Sequence, residues 1–320
     1  MYSFLLSRLY QMLTVIFLMS FVCYMLLGLM PGDPVDLLIS ADPNLTSEDA
    51  ARLKALYGLD QPLLYRYLNW LAAALQGDFG YSRLYAKPVL DVLWGALERT
   101  LVLMSIAFLL SVLLAIPTGM LAARRIHTPT DYSINFLCFA GISIPSFWLA
   151  LMLILLFSVI LGWLPANATP LGQVGFFQQA QALILPVITL SMVSIGGVTR
   201  YVRSSMYETL QQDYITTAYA KGLSESQVVW RHGLRNSMIP VVTILSLDLG
   251  AFFSGALIVE IMFAYPGMGK ILFDAINGSD YNLALVGLLL ATLVTLLANF
   301  LADISYVGLD PRISYQEQSK

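Results

Sequence analysis

The amino-acid sequence predicts an all-α polytopic membrane protein with about six transmembrane helices. Of its 320 residues, 58% are hydrophobic and only 12% are charged, whereas soluble domains carry about 25% charged residues. A soluble fold of this size would have to bury more apolar surface than a globule can hide. In lipid, an apolar outer surface is favourable instead. The net charge of -3 gives no indication of nucleic-acid binding.

The apolar residues cluster in segments long enough to cross a bilayer. A helix that rises about 1.5 Å per residue needs about 20 apolar residues to cross a hydrocarbon core of about 30 Å. We therefore predict six spans, at residues 9–29, 100–123, 136–161, 182–201, 239–262 and 283–307. The first is too long for the apolar region of a signal peptide, and no small-x-small cleavage site follows it, so we predict that it is retained.

The distribution of lysine and arginine predicts the orientation of these spans. Six spans place both termini on one side of the membrane, and the short loops of that side carry many basic residues, such as Arg124, Arg125, Arg200 and Arg203. Short basic loops stay in the cytoplasm. We therefore predict that both termini and residues 202–238 are cytoplasmic.

The spans divide the chain into three parts. Residues 1–99 hold the first span and an outer segment, which we predict to fold as a small extracytoplasmic cap. Residues 100–307 form a five-helix core, and residues 308–320 form a cytoplasmic tail. In the cap, residues 50–57 and 63–75 are amphipathic, and Thr46 or Ser47 can cap the first of these helices.

The cytoplasmic loop between the fourth and fifth spans is the most informative part of the sequence. Residues 213–237 predict two short helices broken at Gly222, which can adopt a left-handed conformation after the first helix. Ser224 is then the N-cap of the second helix. From the residues alone two interpretations stay open: a docking site for a partner protein, or an amphipathic loop that lies on lipid headgroups.

This loop resembles the EAA loop of ABC-transporter permease subunits, and more narrowly that of the dipeptide, oligopeptide and nickel importer family. The resemblance is to the permease type with a long first outer segment, and it covers nearly the whole chain. Further stretches match this family in order, namely Pro31-Gly32-Asp33-Pro34, Gly77-Asp78-Phe79-Gly80, Ile144-Pro145-Ser146-Phe147-Trp148, residues 199–206, Gly255-Ala256, Val259-Glu260, Phe263, Tyr265-Pro266-Gly267-Met268-Gly269, Asp280-Tyr281 and Asp310-Pro311-Arg312.

The resemblance implies the type I ABC-importer permease fold and a pore-forming subunit that moves peptides or a related small solute across the bacterial inner membrane. It implies that this chain binds no cofactor, and that ATP and Mg²⁺ are bound by two partner ABC ATPases. The other implied partners are a second homologous permease subunit, an extracytoplasmic substrate-binding protein and membrane lipid. The sequence itself offers no phosphate-binding loop, because Gly267-Met268-Gly269-Lys270 lacks the first glycine and the final hydroxyl residue of that motif.

The family pattern assigns contact with the ATPases to the 213–237 loop. The residues that it places there are Thr216, Thr217, Ala218, Ala220, Lys221, Gly222, Leu223, Arg231 and Arg235. Thr216 departs from the pattern, which has an acidic residue at that position, or arginine in the peptide-type permeases. Docking through this one side chain is therefore the weakest part of the match.

Four residues in the predicted spans are candidates for the substrate pathway. An unpaired charge in lipid costs several kcal/mol, so Asp248, near the middle of the fifth span, either attracts a cationic group of the substrate or bonds to a neighbouring helix. Glu260 matches the family motif and fits an architectural hydrogen-bond acceptor as well as a pathway residue. Pro145 and Phe147 belong to the family stretch in the third span.

Three alternatives remain at this level. The first is a family member that exports cationic peptides or polyamines, and the second is a secondary transporter that works without ATP, although the sequence shows no inverted repeat. The third is a membrane enzyme, which His127 and His232 do not support because they lie far apart in sequence. Neither the histidines nor the two cysteines, Cys23 and Cys138, suggest a metal site or disulfide, and the substrate itself stays open.

Overall fold

The computed structural model of the chain describes residues 2–29, 52, 55, 60–168 and 175–309, and this part is almost entirely helical. The α-helices are α1 (Tyr2–Gly28), α2 (Leu63–Leu75), α3 (Val89–Arg124), α4 (Pro129–Ser143), α5 (Ser146–Leu153), α6 (Phe176–Leu210), α7 (Asp213–Ala220), α8 (Glu225–Gln227), α9 (Arg235–Met262), α10 (Met268–Asn277) and α11 (Tyr281–Leu309). Two π-helical segments, Ile154–Ile160 and Val228–Leu234, continue α5 and α8. Strands β1 (Tyr81–Ser82) and β2 (Lys87–Pro88) pair in an antiparallel hairpin.

Some sequence predictions fall outside the described residues. These are the helix caps at Thr46 or Ser47, most of the amphipathic segment 50–57, the family stretches 31–34 and 310–312, and most of the tail 308–320. The predicted amphipathic helix at residues 63–75 coincides with α2.

The long helices confirm the membrane fold. Within the described ranges four helices are long and apolar enough to span a bilayer, namely Leu6–Gly28, Val89–Arg124, Phe176–Leu210 and Tyr281–Leu301. Counting the bent pair Pro129–Ser143 and Ser146–Ile160 as one span gives a fifth. The remaining predicted span, 239–262, lies in α9, whose 28 residues extend over about 42 Å. Helices α3 and α6 are longer than their predicted spans, with 36 and 35 residues.

The prediction of one continuous third span at 136–161 is wrong. The structure bends this segment by 100° between α4 and α5. Ile144 and Pro145 leave the helix with extended backbone, at ψ of 121° and 136°. Proline has no N–H to donate and pushes the residue before it into extended conformation, which explains a break at this position.

The chain divides into two compact units. The first combines Met1–Glu98 with Gly267–Val294, and the second combines Arg99–Pro266 with Thr295–Lys320. Residues 267–294, which the sequence analysis assigned to the core, thus group with the N-terminal part of the chain. Helices α3 and α11 each contribute to both units.

Close helix packing characterises the second unit. Its helices approach each other at small residues: a Cβ on Gly119 of α3 would lie 2.7 Å from the Thr199 carbonyl oxygen of α6, and one on Gly196 would lie 2.6 Å from the Cys138 carbonyl oxygen of α4. Small residues at helix interfaces let membrane helices pack through van der Waals contact, since lipid supplies no hydrophobic driving force between them.

Aromatic side chains join α1 to α2 in the first unit. Tyr67 of α2 is only 2% exposed, and its hydroxyl lies 2.9 Å from Ser20 Oγ of α1. The Tyr67 ring packs edge-on against Phe21 and Tyr24, at centroid distances of 5.3 and 5.5 Å. The outer amphipathic helix is therefore anchored to the first span by both a hydrogen bond and ring contacts.

Asp280 holds the hairpin against the start of α11. Its side chain is 2% exposed and accepts hydrogen bonds from Ser82 Oγ at 2.6 Å and from the Leu84 N–H at 3.0 Å. The other carboxylate oxygen accepts from the Leu283 N–H at 3.3 Å, which makes Asp280 the N-cap of α11. One carboxylate thus joins segments that are distant in the sequence, because Ser82 and Asp280 are 198 residues apart.

Replacing Asp280 by alanine should lower the free energy of unfolding by about 3 kcal/mol, because the change removes a helix cap and leaves the Ser82 and Leu84 donors without their acceptor. The measurement is the thermal unfolding midpoint of the detergent-purified protein. The control is Asp274→Ala, which removes only a helix-surface pair with Lys270 and should change stability by less than about 0.5 kcal/mol. Similar shifts in both variants would contradict the assigned role of Asp280.

Candidate functional site

The 213–237 segment begins with a helix that ends at a glycine, as predicted. Helix α7 is followed by Gly222 in the left-handed conformation, with φ of +81°. The Gly222 N–H donates to the Tyr219 carbonyl at 2.9 Å and the Leu223 N–H to the Ala218 carbonyl at 3.4 Å. These two bonds form a Schellman motif, which satisfies the last carbonyls of the helix and requires φ > 0 at residue 222.

An apolar cluster lies under the break. Ile215, Ala218 and Val228 are at most 5% exposed, and Leu210 and Leu223 pack against them. The contact of Leu223 with this cluster is the hydrophobic contact that commonly accompanies a Schellman motif. The apolar side of α7 is therefore covered by the chain itself.

The predicted cap at Ser224 is confirmed. The Gln227 N–H donates to Ser224 Oγ at 3.4 Å, and the Ser224 N–H donates to Gln227 Oε1 at 3.0 Å, which together form a capping box. The second helix is not the separate short helix that the sequence predicted. It continues through the π-helical segment Val228–Leu234 directly into α9.

The π-helical segment packs tightly on the end of α6. A Cβ on Gly233 would lie 2.7 Å from Met206 Cε, and Ser237 Oγ lies 3.4 Å from Met206 Sδ. Ser205 Oγ donates to the Ser237 carbonyl at 2.7 Å. Both ends of the 213–237 segment are therefore attached to α6. The first end is joined to it through the backbone, and the second end packs against it.

Several aromatic residues of the segment are exposed. Tyr214, Tyr219 and Trp230 are 43%, 45% and 59% exposed. These three residues were not predicted from the sequence, although large aromatic side chains in a polar loop could have indicated them. Most predicted contact residues are exposed beside them, namely Thr216, Thr217, Ala220, Lys221, Gly222, Arg231 and Arg235, whereas Ala218 is buried and Leu223 is half-buried.

A buried ion pair, which the sequence analysis missed, fixes the start of α4 to α6. Arg203 donates from Nε and Nη2 to the two oxygens of Asp131, at 2.6 and 2.8 Å, and the Asp131 side chain is 1% exposed. Asn135 Nδ2 and the His127 N–H also donate to this carboxylate. Arg203 lies in the family stretch 199–206, but the sequence indicates no partner for it, because Asp131 is 72 positions away.

The four candidate pathway residues occupy different environments. Asp248 of α9 is half-buried and accepts a hydrogen bond from Ser194 Oγ of α6 at 2.6 Å. Glu260 is fully buried and accepts from Thr100 Oγ1 at 2.5 Å, the geometry of an architectural acceptor. Pro145 and Phe147 are exposed at the bend before and within α5, which packs against α6 and α9. Whether any of the four contacts substrate stays a prediction.

Comparison with known proteins identifies a family over the whole chain. The family model described as binding-protein-dependent transport system inner membrane component matches residues 115–315, and its N-terminal companion matches residues 1–115. The oligopeptide transport system permease protein AppB of Bacillus subtilis is 36% identical over 318 residues, which cover 98% of this chain and 100% of AppB. The di/tripeptide transport system permease protein DppB of Pseudomonas aeruginosa is 35% identical, covering 99% of this chain and 100% of DppB.

A solved structure shares the fold. The crystal structure of an amino acid ABC transporter with histidines aligns with a TM-score of 0.51 and 12% identity, covering 68% of this chain and 94% of that chain. The alignment supports the predicted type I ABC-importer permease fold.

Replacing Asp131 by alanine should lower the free energy of unfolding by about 3 kcal/mol, because the Arg203 guanidinium would lose its buried counter-ion. The control is Glu225→Ala, which removes an exposed ion pair with Arg124 and should change stability by less than about 1 kcal/mol. The two changes in stability are to be compared through the thermal unfolding midpoints of the detergent-purified variants. A loss for Asp131→Ala as small as for the control would show that the buried pair does not stabilise the fold.

Proposed function

Because the chain belongs to the family of inner membrane components of binding-protein-dependent transport systems, it is a permease subunit of an ABC transporter, and we propose that partner ATPases dock on its 213–237 segment. Family membership implies ATPase partners and another permease subunit. We extend the proposal to the cargo, which is a peptide, and to the location, which is the bacterial inner membrane with both termini in the cytoplasm.

The observation that carries the docking proposal is the covered underside of α7. An amphipathic helix that lies on a membrane buries its apolar side chains in lipid. Here the apolar side chains Ile215 and Ala218 are 2% and 5% exposed within the chain itself, so they are not available to lipid. Tyr214, Tyr219 and Trp230 of the segment are exposed, and exposed aromatic residues on a fixed scaffold are typical of protein interfaces. This arrangement favours a partner protein over headgroups.

The fixed attachment of the segment supports transmission of force. Its first helix follows α6 directly and its second runs into α9, with Gly233 packed on Met206. Movement of the docked ATPases would therefore displace α6 and α9 together and shift the permease between its two access states. In this proposal two ATPase subunits hold ATP and Mg²⁺, and this chain holds neither.

The peptide cargo is supported by the names of the relatives, which are an oligopeptide and a di/tripeptide permease. An extracytoplasmic substrate-binding protein would deliver the peptide, as the family description suggests. Neither export nor ATP-independent transport, the two transport alternatives left by the sequence, is favoured by these comparisons.

Replacing Gly222 by proline or tryptophan should uncouple ATP hydrolysis from transport, because either residue is strained at φ of +81° and proline also removes the N–H that bonds Tyr219. We expect peptide transported per ATP to fall about 10-fold while the chain stays membrane-inserted. The measurement uses the complex purified with its partner subunits and reconstituted in liposomes.

Two controls separate docking from strain alone. Gly222→Asn should remain coupled, because asparagine tolerates the left-handed conformation. Gly162→Trp places the same residue at another left-handed glycine, in the segment before α6, where an added Cβ would likewise meet no atom within 4 Å, and it should remain coupled too. Full coupling in Gly222→Trp would refute the docking site, and a wild-type complex without an ATPase subunit would refute the proposed function altogether.

Asp248→Asn should weaken transport of cationic peptides about fivefold more than transport of neutral peptides, because it removes a charge from a low-dielectric site without changing its shape. Initial uptake rates for peptide pairs that differ only in one lysine provide the measurement. Ser194→Ala keeps the charge and removes only the hydrogen bond, so it should affect both peptides alike. An equal effect of Asp248→Asn on both peptides would leave this residue only a structural role.

A further inference from the structure

We propose that the ion pair between Arg124 and Glu225 transmits movement of the docked segment to α3, which makes Arg124 a positioning residue of the coupling machinery. The inference rests on the proposed function, because it concerns how the 213–237 segment acts on the rest of the permease. It concerns α3, whereas the backbone joins the segment to α6 and α9.

The geometry of the pair is direct. Arg124 is the last residue of α3, and Glu225 is the first residue of α8, next to the Ser224 cap. Arg124 Nη2 lies 2.5 Å from Glu225 Oε1, although the two residues are 101 positions apart. Within the described residues this is the one polar side-chain contact of each partner.

The connectivity of the segment gives this contact its importance. Movement of the segment reaches α6 and α9 through the backbone, because α7 follows α6 and α8 leads into α9. Helix α3 has no such covalent link to the segment, so the segment can act directly on α3 only through side-chain contacts.

An apolar contact lies below the ion pair. Val229, four residues after Glu225, is 2% exposed and shares a core cluster with Met120 and Ala123 of α3. Met120, Ala123 and Arg124 all lie in the last two turns of α3, so the apolar packing and the ion pair involve the same end of this helix. The apolar cluster supplies packing, and the ion pair supplies a directional hydrogen bond.

The charges also suit the helices that carry them. Arg124 lies at the C-terminus of α3 and Glu225 in the first turn of α8, where each complements the dipole of its own helix. Both side chains are well exposed, at 42% and 64%, so water screens the pair and it contributes little to stability. A change in coupling can therefore be measured without loss of the fold.

The test is a charge exchange in the complete complex reconstituted in liposomes, with peptide transported per ATP hydrolysed as the readout. Arg124→Glu and Glu225→Arg should each lower this ratio about two- to fivefold, the range expected for an exposed pair. The double exchange should restore the ratio to near the wild-type value. If a reversal variant does not assemble, Glu225→Ala, which introduces no like-charge pair, should still lower the ratio about twofold.

The control is Glu208→Arg, which reverses an exposed charge on α6 whose hydrogen bond is local, to Ser204, and should leave the ratio unchanged. Unchanged ratios in the single exchanges, or a double exchange no better than either single variant, would overturn the proposal. These outcomes are distinct from failure of the proposed function, which would appear as a wild-type complex that transports without ATP.

Discussion

The need to satisfy backbone hydrogen bonds inside lipid constrains this whole structure. No water is available in the hydrocarbon core, so the chain must be helical there and each interruption needs its own hydrogen bonds. Among the described residues four helices end in the same way, with a residue at positive φ after the helix and bonds back to the last carbonyls; these residues are Gly77, Gly222, Ala264 and Ser279. The 213–237 segment therefore uses at Gly222 the same hydrogen-bonded helix end that occurs elsewhere in the chain.

What distinguishes the break at Gly222 is its surroundings. A Cβ on this glycine would meet no atom within 4 Å, whereas the apolar residues beneath it, such as Ile215 and Val228, are buried by the chain. The segment is thus internally packed on one side and open on the other. This asymmetry, more than the glycine itself, makes the segment suitable for a partner protein.

Polar contacts in this protein divide into rigid and adjustable ones. In the part of the chain that the structure describes, three buried carboxylates, Asp131, Glu260 and Asp280, join segments that are distant in sequence. Removing one partner of such a contact leaves an unsatisfied buried group. The exposed pair Arg124–Glu225 contributes little to stability by the same reasoning. Fixed contacts among the helices and a weak contact at the 213–237 segment are compatible with a core that shifts between states without unfolding.

Features that depend on residues close together in the chain could be predicted from the amino-acid sequence alone. Apolar segments of about 20 residues predicted the membrane helices, and Gly222 and Ser224 predicted the helix end and the helix cap, because these depend on hydrogen bonds within about five residues. Other features depend on tertiary packing. The 100° bend at Pro145 was not predictable, because Pro117, Pro186 and Pro240 lie within continuous helices. The partners of Asp131, Asp248 and Asp280, and the burial of Ala218, depend on which helices meet, and the packing of distant segments determines that.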